Sequence, residues 1–347
     1  MPFTPQEIQD AGKAVLDFHL KNSPEDQIKQ DRPLLKALMP KKKSFPGAKE
    51  YVVEQLRVAY QSNFQFYRGE QQVTYNRRQT LDQAKFPWRS AHDGLYLDED
   101  RLAQHGIKID DNGQGGNVTR AEAIQLSNLL DEQMVALDEG WEDAFDRVCW
   151  LDGSGSADDL AGIDYLVPLD PSTGTVGGID RATELWWRNN TATALAGGGD
   201  IIPALEEEWK NCIRFGGQAP THIFAGWDWI QAFRMEAKAE IERFVRTGTG
   251  RATIDPATDL QFNGVPITWV PQFDDNFDGS VAPLTHWSKR CYLLNLKSIR
   301  LRPMQGQDRI SRKPPRPHDK YVTYWALTWK GALTMNRARC NAVLALA

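Results

Sequence analysis

Hydrophobic residues recur at spacings of three and four along one long segment, residues 119–151. The apolar positions are Leu126, Leu130, Met134, Leu137, Trp141, Phe145 and Val148. Thr119 and Glu122 fit a capping box, in which each side chain satisfies a free backbone donor at the helix start. The spacing predicts one helix roughly 45 Å long, since each helical residue adds about 1.5 Å.

Alternating apolar and polar positions predict a long β-hairpin within residues 51–97. Val58, Tyr60, Phe64 and Phe66 alternate before a turn at residues 68–70, and Val73 and Tyr75 follow it. The segment is rich in Gln, Asn and Arg, so it is poorly suited to burying both of its faces. Because a two-stranded ribbon alone is marginally stable in water, we expect this hairpin to lie against another molecule.

The first 50 residues combine one short predicted helix, capped by Thr4, with a proline-rich stretch. Residues 23–48 contain four prolines and the run Lys41, Lys42 and Lys43. This composition predicts an extended arm without a core of its own, which either hangs free or lies on a partner.

The second half of the chain alternates helices and strands and then becomes strand-rich. Helices are predicted at 201–215 and 227–245, and strands at 221–225, 262–273, 291–303 and 320–335. The late strands are far from the long helix in sequence, so they cannot be its hairpin neighbours. We expect them to return to the domain that carries that helix.

Two adjacent tryptophans, Trp186 and Trp187, precede Arg188 in a segment rich in turns. If they lie in a strand, their side chains point to opposite faces, so one indole needs cover from a second layer or from a neighbouring subunit. Tryptophan occurs 12 times in the chain, and it is enriched at contacts between chains.

Length and charge narrow the classes of protein. A chain of 347 residues is long enough for two domains or one elongated one. The net charge of -5 argues against wrapping nucleic acid by bulk charge neutralisation.

Residues 98–147 hold thirteen acids against four bases, which is typical of a solvated helix face or of a surface that tolerates DNA without gripping it. Residues 300–320 hold seven bases against two acids, which fits either a solvated loop or a contact with an acidic partner.

Catalytic and metal-binding patterns are missing from the sequence. It contains no GxSxG, HExxH or GxxxxGK[ST] motif, and the loop Gly113–Gly116 fails GxGxxG because Val118 occupies the third glycine position. The six histidines are scattered singly, and the four cysteines form no CxxC pair. We therefore predict no enzyme activity, no cofactor, no metal and no disulfide framework. No run approaches membrane-spanning length, so a soluble, unexported protein in a reducing compartment is expected.

The order of these parts resembles that of the major capsid proteins of tailed bacteriophages, the family with the Hong Kong ninety-seven shell fold. The resemblance rests on five segments read in order: FPWRSAHDGLYLDEDRLAQHGI, VGGIDRATELWWRN, PTHIFAGWDWIQAF, FNGVPITWVPQFDD and KGALTMNRARCNAVLALA. It implies an α+β fold with an N-terminal arm, an extended β-hairpin loop, a peripheral domain with a long spine helix, and an axial α/β domain.

Carried onto this chain, the resemblance implies the following boundaries. The arm is 1–50, the extended loop 51–97, the peripheral domain 98–154 and 262–335 with its spine helix at 119–151, and the axial domain 155–261 and 336–347. The candidate contacts between subunits are Lys41, Lys42, Lys43, Arg68, Glu70, Arg77, Arg78, Trp88, Trp186, Trp187 and Arg188.

The implied function is self-assembly into pentamers and hexamers of an icosahedral shell around double-stranded DNA, built in the cytoplasm of a bacterial host. Scaffolding, portal and decoration proteins would be further partners, DNA would be contacted without sequence preference, and no membrane would be involved. Some members of the family cross-link subunits through a Lys and an Asn. Lys85 is a candidate without a supporting motif, so non-covalent locking is expected.

Two alternatives stay open at this point. The first is a shell of the same fold that encloses a cargo enzyme. The second is a carbohydrate-binding protein or glycoside hydrolase that stacks sugars on Trp186, Trp187, Trp227 and Trp229 and uses acids within 206–208. Those three glutamates are consecutive on a predicted helix and point in different directions, which disfavours a catalytic pair.

Overall fold

The computed structural model describes residues 30–47, 49–78, 80–98, 120–244, 260–274, 286–312 and 322–347. Everything described from Arg32 onward belongs to one unit, Arg32–Ala347. The helix expected after Thr4, the Gly113–Gly116 loop and the cap residue Thr119 lie outside the described residues.

The regular elements follow in chain order. The helices are α1 (Pro33–Leu38), α2 (Arg120–Trp150), α3 (Ile163–Leu166), α4 (Ile201–Gly216) and α5 (Trp227–Phe244). The strands are β1 (Tyr51–Arg57), β2 (Leu81–Pro87), β3 (Arg89–Asp98), β4 (Thr175–Val176), β5 (Ile179–Asp180), β6 (Asn190–Leu195), β7 (His222–Ala225), β8 (Gln261–Phe262), β9 (Val265–Trp269), β10 (Arg290–Leu294), β11 (Ile299–Pro303), β12 (Ile310–Arg312), β13 (Val322–Met335) and β14 (Ala342–Leu346).

The long helix is confirmed as α2, which has 31 residues and is about 46 Å long at roughly 1.5 Å per residue. Leu137, Trp141 and Phe145 lie at spacings of four, and all three are buried in the main core. The Phe145 ring meets Trp329 of β13 edge to face at 4.8 Å. The part of the predicted stripe formed by Leu137, Trp141 and Phe145 therefore packs on the sheet of β13.

That sheet has four strands centred on β13. β3 pairs antiparallel with it from Val322↔Asp98 to Gly331↔Arg89. β11 and β12 also pair with β13, and their registers overlap that of β3, so they lie in tandem on its other edge.

A second sheet of six strands has the order β6, β14, β10, β7, β9, β8. Because successive side chains of a strand alternate between faces, β7 sends Ile223 toward α4 and α5 and Phe224 toward the end of α2. β10 does the same with Leu293 and Tyr292. The sheet is thus buried on both faces, between two hydrophobic cores.

The sequence led us to expect that all late strands return to the domain of the long helix. Two of them, β9 and β10, instead lie in this six-stranded sheet. β9 pairs in parallel with β7, across the α5 connection, and β10 pairs antiparallel with β7. A boundary at residue 262 would cut through the sheet. Only β11, β12 and β13 join β3 beside α2.

The chain from residue 32 to residue 47 packs on its own molecule, so the expectation of an arm without a core is wrong for this part. α1 buries Leu34, Leu35 and Leu38 in the main core. Farther on, Phe45 forms a β-bridge with Met304, and the Phe45 N–H donates to the Pro303 carbonyl at 3.0 Å. Pro33 stands at the first position of α1, where its fixed φ starts a helix instead of preventing one.

Within the described residues, no helix is long and apolar enough to cross a bilayer. All four cysteines are buried and free of disulfide bonds, and burial raises the pKa of Cys212 to about 12. The same part of the chain holds no group of three His, Cys, Asp or Glu side chains placed to bind a metal.

Candidate interface surfaces

The loop between β1 and β2 carries the most exposed aromatic side chains of the described chain. These loop aromatics are Tyr60, Phe64, Phe66, Tyr67 and Tyr75, and each is between 68% and 91% exposed. Burying one such side chain is worth about 1.5 to 3 kcal/mol. Five of them on one loop form an apolar surface that the monomer leaves in water.

The loop stays ribbon-like without being a regular hairpin. β1 and β2 pair from Tyr51↔Pro87 to Arg57↔Leu81, and one further bond joins the Val58 N–H to the Thr80 carbonyl at 3.0 Å. Beyond it, the Asn63 amide donates to the backbone carbonyl and the hydroxyl of Thr74. The strands predicted across 58–66 and 73–75 are therefore wrong, although the turn at residues 69–70 is present. Among the strands that the structure describes, none pairs with the tip, so regular pairing stops near the base.

The base of the loop is fixed in the main core. Leu56, Ala84 and Phe86 are buried, and the Lys85 N–H donates to the Gly177 carbonyl at 2.8 Å. Gly177 lies in the tight β4–β5 hairpin with φ +63°, in the region that favours glycine. The loop aromatics are thus carried by a ribbon that is held firmly at one end.

Charged residues flank the loop aromatics along the chain. Arg68, Glu70, Arg77 and Arg78 are all exposed, as the sequence suggested for contact residues. None of the four forms an ion pair within the described part of the chain. The sequence reasoning chose these charges and assigned the neighbouring aromatics to strands, so it overlooked the apolar surface itself.

The paired tryptophans are not in a strand, so the argument from opposite strand faces does not apply to them. They lie in a 3-10 turn, Leu185–Trp187, and Trp187 is 1% exposed with its indole N–H donating to the Val176 carbonyl at 2.9 Å. Trp186 is half-buried and bonds to the Glu184 carboxylate. Arg188 donates to the Arg181 carbonyl at 2.7 Å. The chain itself covers Trp187, which leaves no ring face for a neighbour.

Of the remaining predicted contacts, Lys42 and Trp88 are engaged within the chain. Lys42 pairs with Asp308, and the Trp88 indole donates to the Lys49 carbonyl at 3.0 Å. The Lys43 N–H bonds to the Leu301 carbonyl at 3.0 Å, although its side chain is exposed. Lys41 is exposed and has no ion pair among the described residues.

Three acids in the described second half of α2 form ion pairs within the chain, which neither of the two sequence interpretations anticipated. Arg32 bonds to Glu139 at 2.8 Å and to Glu142 at 2.9 Å. From the other side, Arg309 reaches Asp138 at 2.7 Å and Glu142 at 2.8 Å. These acids join the segment before α1 and the segment before β12 to the long helix, so in this part of α2 they are occupied by the chain's own cations.

The basic segment after residue 300 also satisfies several of its charges internally. Arg302 pairs with Glu54 of β1, and both side chains are nearly buried. Arg312 donates to the Thr328 hydroxyl at 2.8 Å and to the Gln307 amide at 2.9 Å. Lys313, Arg316 and Lys320 lie outside the described residues.

A second exposed aromatic surface lies where α5 begins. Trp227 and Trp269 meet at 5.5 Å and are 38% and 36% exposed, and Arg234 lies over the Trp227 ring. Met235 on the same helix is also exposed. The sequence signal was the alternation in WDW: Trp229 is fully buried, whereas Trp227 two residues earlier points outward.

The carbohydrate alternative loses its proposed stacking platform. Trp187 and Trp229 are buried and cannot hold a sugar ring. Glu206 and Glu207 are exposed, but Glu208 is buried, so the three acids do not converge on one site.

No protein-family model and no curated protein matches this sequence. Solved structures do match over nearly the whole chain. A chain of the capsid asymmetric unit of cyanophage A-1(L) is 14% identical with a TM-score of 0.62, and the match covers 93% of this chain and 94% of that one. This chain has the fold of phage capsid proteins.

Other matches agree on the fold. The capsid of Myoviridae phage XM1 gives a TM-score of 0.54 at 11% identity, with 95% of this chain and 98% of that chain covered. The capsid of an empty GTA particle gives 0.52 at 10% identity over 96% and 98%. The predicted α+β class and the resemblance to the phage shell fold are therefore confirmed.

Proposed function

We propose that this chain is the major capsid protein of a tailed phage. In this proposal it assembles through pentamers and hexamers into an icosahedral shell around double-stranded DNA. One observation carries the proposal: a chain with the phage capsid fold leaves five aromatic side chains exposed on a loop whose base is firmly anchored. A monomer gains nothing from such a loop, whereas a lattice of identical subunits can bury it on a neighbour.

The parts of the fold take these roles in the proposal. α2 with the sheet of β3, β11, β12 and β13 forms the peripheral domain, and the six-stranded sheet with α4 and α5 forms most of the axial domain. The loop between β1 and β2 is the extended loop. The axial domain would therefore include β9 and β10, which the sequence boundaries had placed in the peripheral domain.

Assembly is the mechanism, and no reaction at an active site is involved. Each buried loop aromatic contributes about 1.5 to 3 kcal/mol before the cost of ordering the loop is subtracted. Every subunit both gives a loop and receives one, so modest contacts multiply over a closed shell. Scaffolding, portal and decoration proteins are further partners in this proposal, and the location is the virion after assembly in a bacterial host.

The direct test is the size of the purified protein, alone and with co-expressed phage scaffolding protein. Negative-stain electron microscopy and light scattering should show rings of five and six subunits or closed shells. A protein that stays a compact monomer at high concentration, under both conditions, would overturn the proposal.

A further inference from the structure

Three basic residues lie on neighbouring elements at one corner of the described fold, and one of them, Lys41, is among the predicted contact residues. Lys41 ends a 3-10 turn, Met39–Lys41, that packs against β11. Lys297 lies in the turn between β10 and β11, where its N–H bonds to the Asn295 side chain at 3.0 Å. His222 begins β7, opposite Leu294 at the end of β10. We call Lys41, His222 and Lys297 the basic corner.

Arg300 extends this corner along β11. Its Nε donates to the Lys297 carbonyl at 3.2 Å, which places the guanidinium beside the turn. Lys41 and Lys297 are exposed, and His222 and Arg300 are partly exposed. The corner is therefore accessible to a molecule from solution.

These cations lack the carboxylate partners that other cations of the fold have. Lys42, Arg302 and Arg309 each pair with an acid. Within the described ranges, by contrast, no ion pair joins Lys41, Lys297 or Arg300 to any carboxylate. A chain with a net charge of -5 thus leaves a group of positive charges uncompensated at one place.

The positive charges of the corner lie close enough to repel one another. Burial lowers the pKa of Lys41, and the nearby charge of Lys297 lowers it further. Burial likewise lowers the pKa of His222, with a second contribution from Lys41. Packing of the backbone keeps like charges close together, and an anion placed between them would relieve that repulsion.

We propose that the basic corner binds the phosphate backbone of double-stranded DNA, so that this corner faces the interior of the shell. The inference rests on the proposed capsid function and adds the side of the subunit that meets the genome. Phosphate contact by lysines needs no base readout, which suits a shell that must accept any sequence.

DNA fits the corner better than an acidic surface of a second copy does. The most acidic face in the described part of the chain is that of α2, and its residues Asp138, Glu139 and Glu142 are held by Arg32 and Arg309 of the same molecule. These three acids are therefore already paired within their own molecule. The backbone of duplex DNA carries one negative charge per about 1.7 Å of its length, so its phosphates can pair with the basic side chains of the corner.

The test measures binding of unassembled full-length protein to a labelled 30-base-pair duplex by fluorescence anisotropy at several salt concentrations. The double variant Lys41→Gln with Lys297→Gln should bind more weakly. Its slope of log affinity against log salt should be smaller by about 2, since each lost phosphate contact removes roughly 0.9. The matched control is Lys85→Gln with Lys210→Gln, which makes the same charge change at two exposed lysines elsewhere. Circular dichroism checks that both variants are folded.

The outcomes separate this inference from the capsid proposal. Equal slopes for the two double variants, or no binding by the unaltered protein at low salt, would overturn the inference while leaving shell formation intact. Loss of particle formation by the corner variant with unchanged DNA binding would also overturn it, since a protein partner would then occupy the corner. The variant Lys41→Arg with Lys297→Arg should keep the original slope because it keeps both charges.

Discussion

The backbone N–H of Leu35 donates a hydrogen bond to the Asp146 carboxylate across 2.8 Å, and this bond joins α1 to α2 through a buried acid. Burial raises the pKa of Asp146 to about 7, and Arg32 opposes that rise only in part. The same carboxyl titrates near 4 in an unfolded chain. The folded state therefore binds the Asp146 proton more tightly than the unfolded state does.

The sign of the resulting pH dependence follows from that difference. The free energy of unfolding decreases with rising pH wherever the folded state binds more protons than the unfolded state. Asp146 therefore lowers stability as pH rises from about 4 through about 7. The cost above pH 7 is on the order of 4 kcal/mol, since the pKa differs by about three units and each unit corresponds to about 1.4 kcal/mol.

Asp146→Asn should remove this cost, because the amide oxygen still accepts from Leu35 and carries no charge. We expect the variant to gain free energy of unfolding relative to the original protein at pH 8, and to gain much less at pH 5. Urea unfolding at the two pH values measures the difference. Asp158→Asn, an exposed acid, is the control and should behave alike at both. A gain for Asp146→Asn that is equal at pH 5 and pH 8 would contradict the assignment.

The ion pairs of Arg32 predict that the segment before α1 is essential for stability. Arg32→Ala removes a cation that bonds to both Glu139 and Glu142, although Glu142 keeps its pair with Arg309, and the Arg32 side chain is only 8% exposed. We expect a loss of about 1 to 3 kcal/mol, less than for a fully buried pair because the two glutamates are partly solvated. Denaturant unfolding checks the value. Lys36→Ala, on the exposed side of α1, should cost under about 0.5 kcal/mol.

The sequence predicts an element well where its hydrophobic periodicity fits only one type of structure. The stripe through Leu137, Trp141 and Phe145 fits only a helix with one buried face, so α2 was predicted within one residue at each end. β9 and β10 are short and apolar, and such strands look alike whichever sheet they join, so their place beside β7 could not be read.

The candidate contact residues show the same limit. Trp186 and Trp187 were read as strand residues because a 3-10 turn of three residues leaves no periodic signal. α1 was missed because a proline at its first position and another just beyond its end hid a helix of six residues whose leucines are buried. The exposure of the loop aromatics depends on tertiary packing, because it is set by which other parts of the chain contact the loop. A local sequence pattern contains no information about those contacts.

The loop aromatics predict a separation between folding and assembly. Phe64→Ser with Phe66→Ser removes the two rings that contact each other at 5.1 Å near the loop tip, where both are exposed. The monomer should keep its unfolding free energy within about 0.5 kcal/mol, as surface changes generally do. Particle formation should fall at least tenfold in light scattering, because two of the five loop aromatics are lost.

The control for the loop is Gln72→Ser with Asn76→Ser, two exposed polar residues of the same loop, which should assemble normally. Assembly by the double phenylalanine variant at the original rate would show that the loop is not the interface. A drop in its thermal midpoint would instead show that the rings support the monomer.

The close contact between Gly177 and β2 leads to a prediction about the direction in which the loop projects. A Cβ at Gly177 would come within 3.0 Å of the Ala84 Cβ and 3.1 Å of the Phe86 ring, whereas a Cβ at Gly178 meets open space. Both glycines have positive φ, at +63° and +81°, so Gly→Ala at either position costs roughly 1 kcal/mol for the backbone alone. Gly177→Ala should cost a further 1 kcal/mol or more, because β2 must shift away from the β4–β5 hairpin or the alanine must be overpacked.

The shift would also change the direction of the loop, so Gly177→Ala should slow assembly more than Gly178→Ala does. Unfolding in urea and light scattering on the two variants provide the comparison, and equal effects in both measurements would mean that contact with this hairpin does not set the loop's direction.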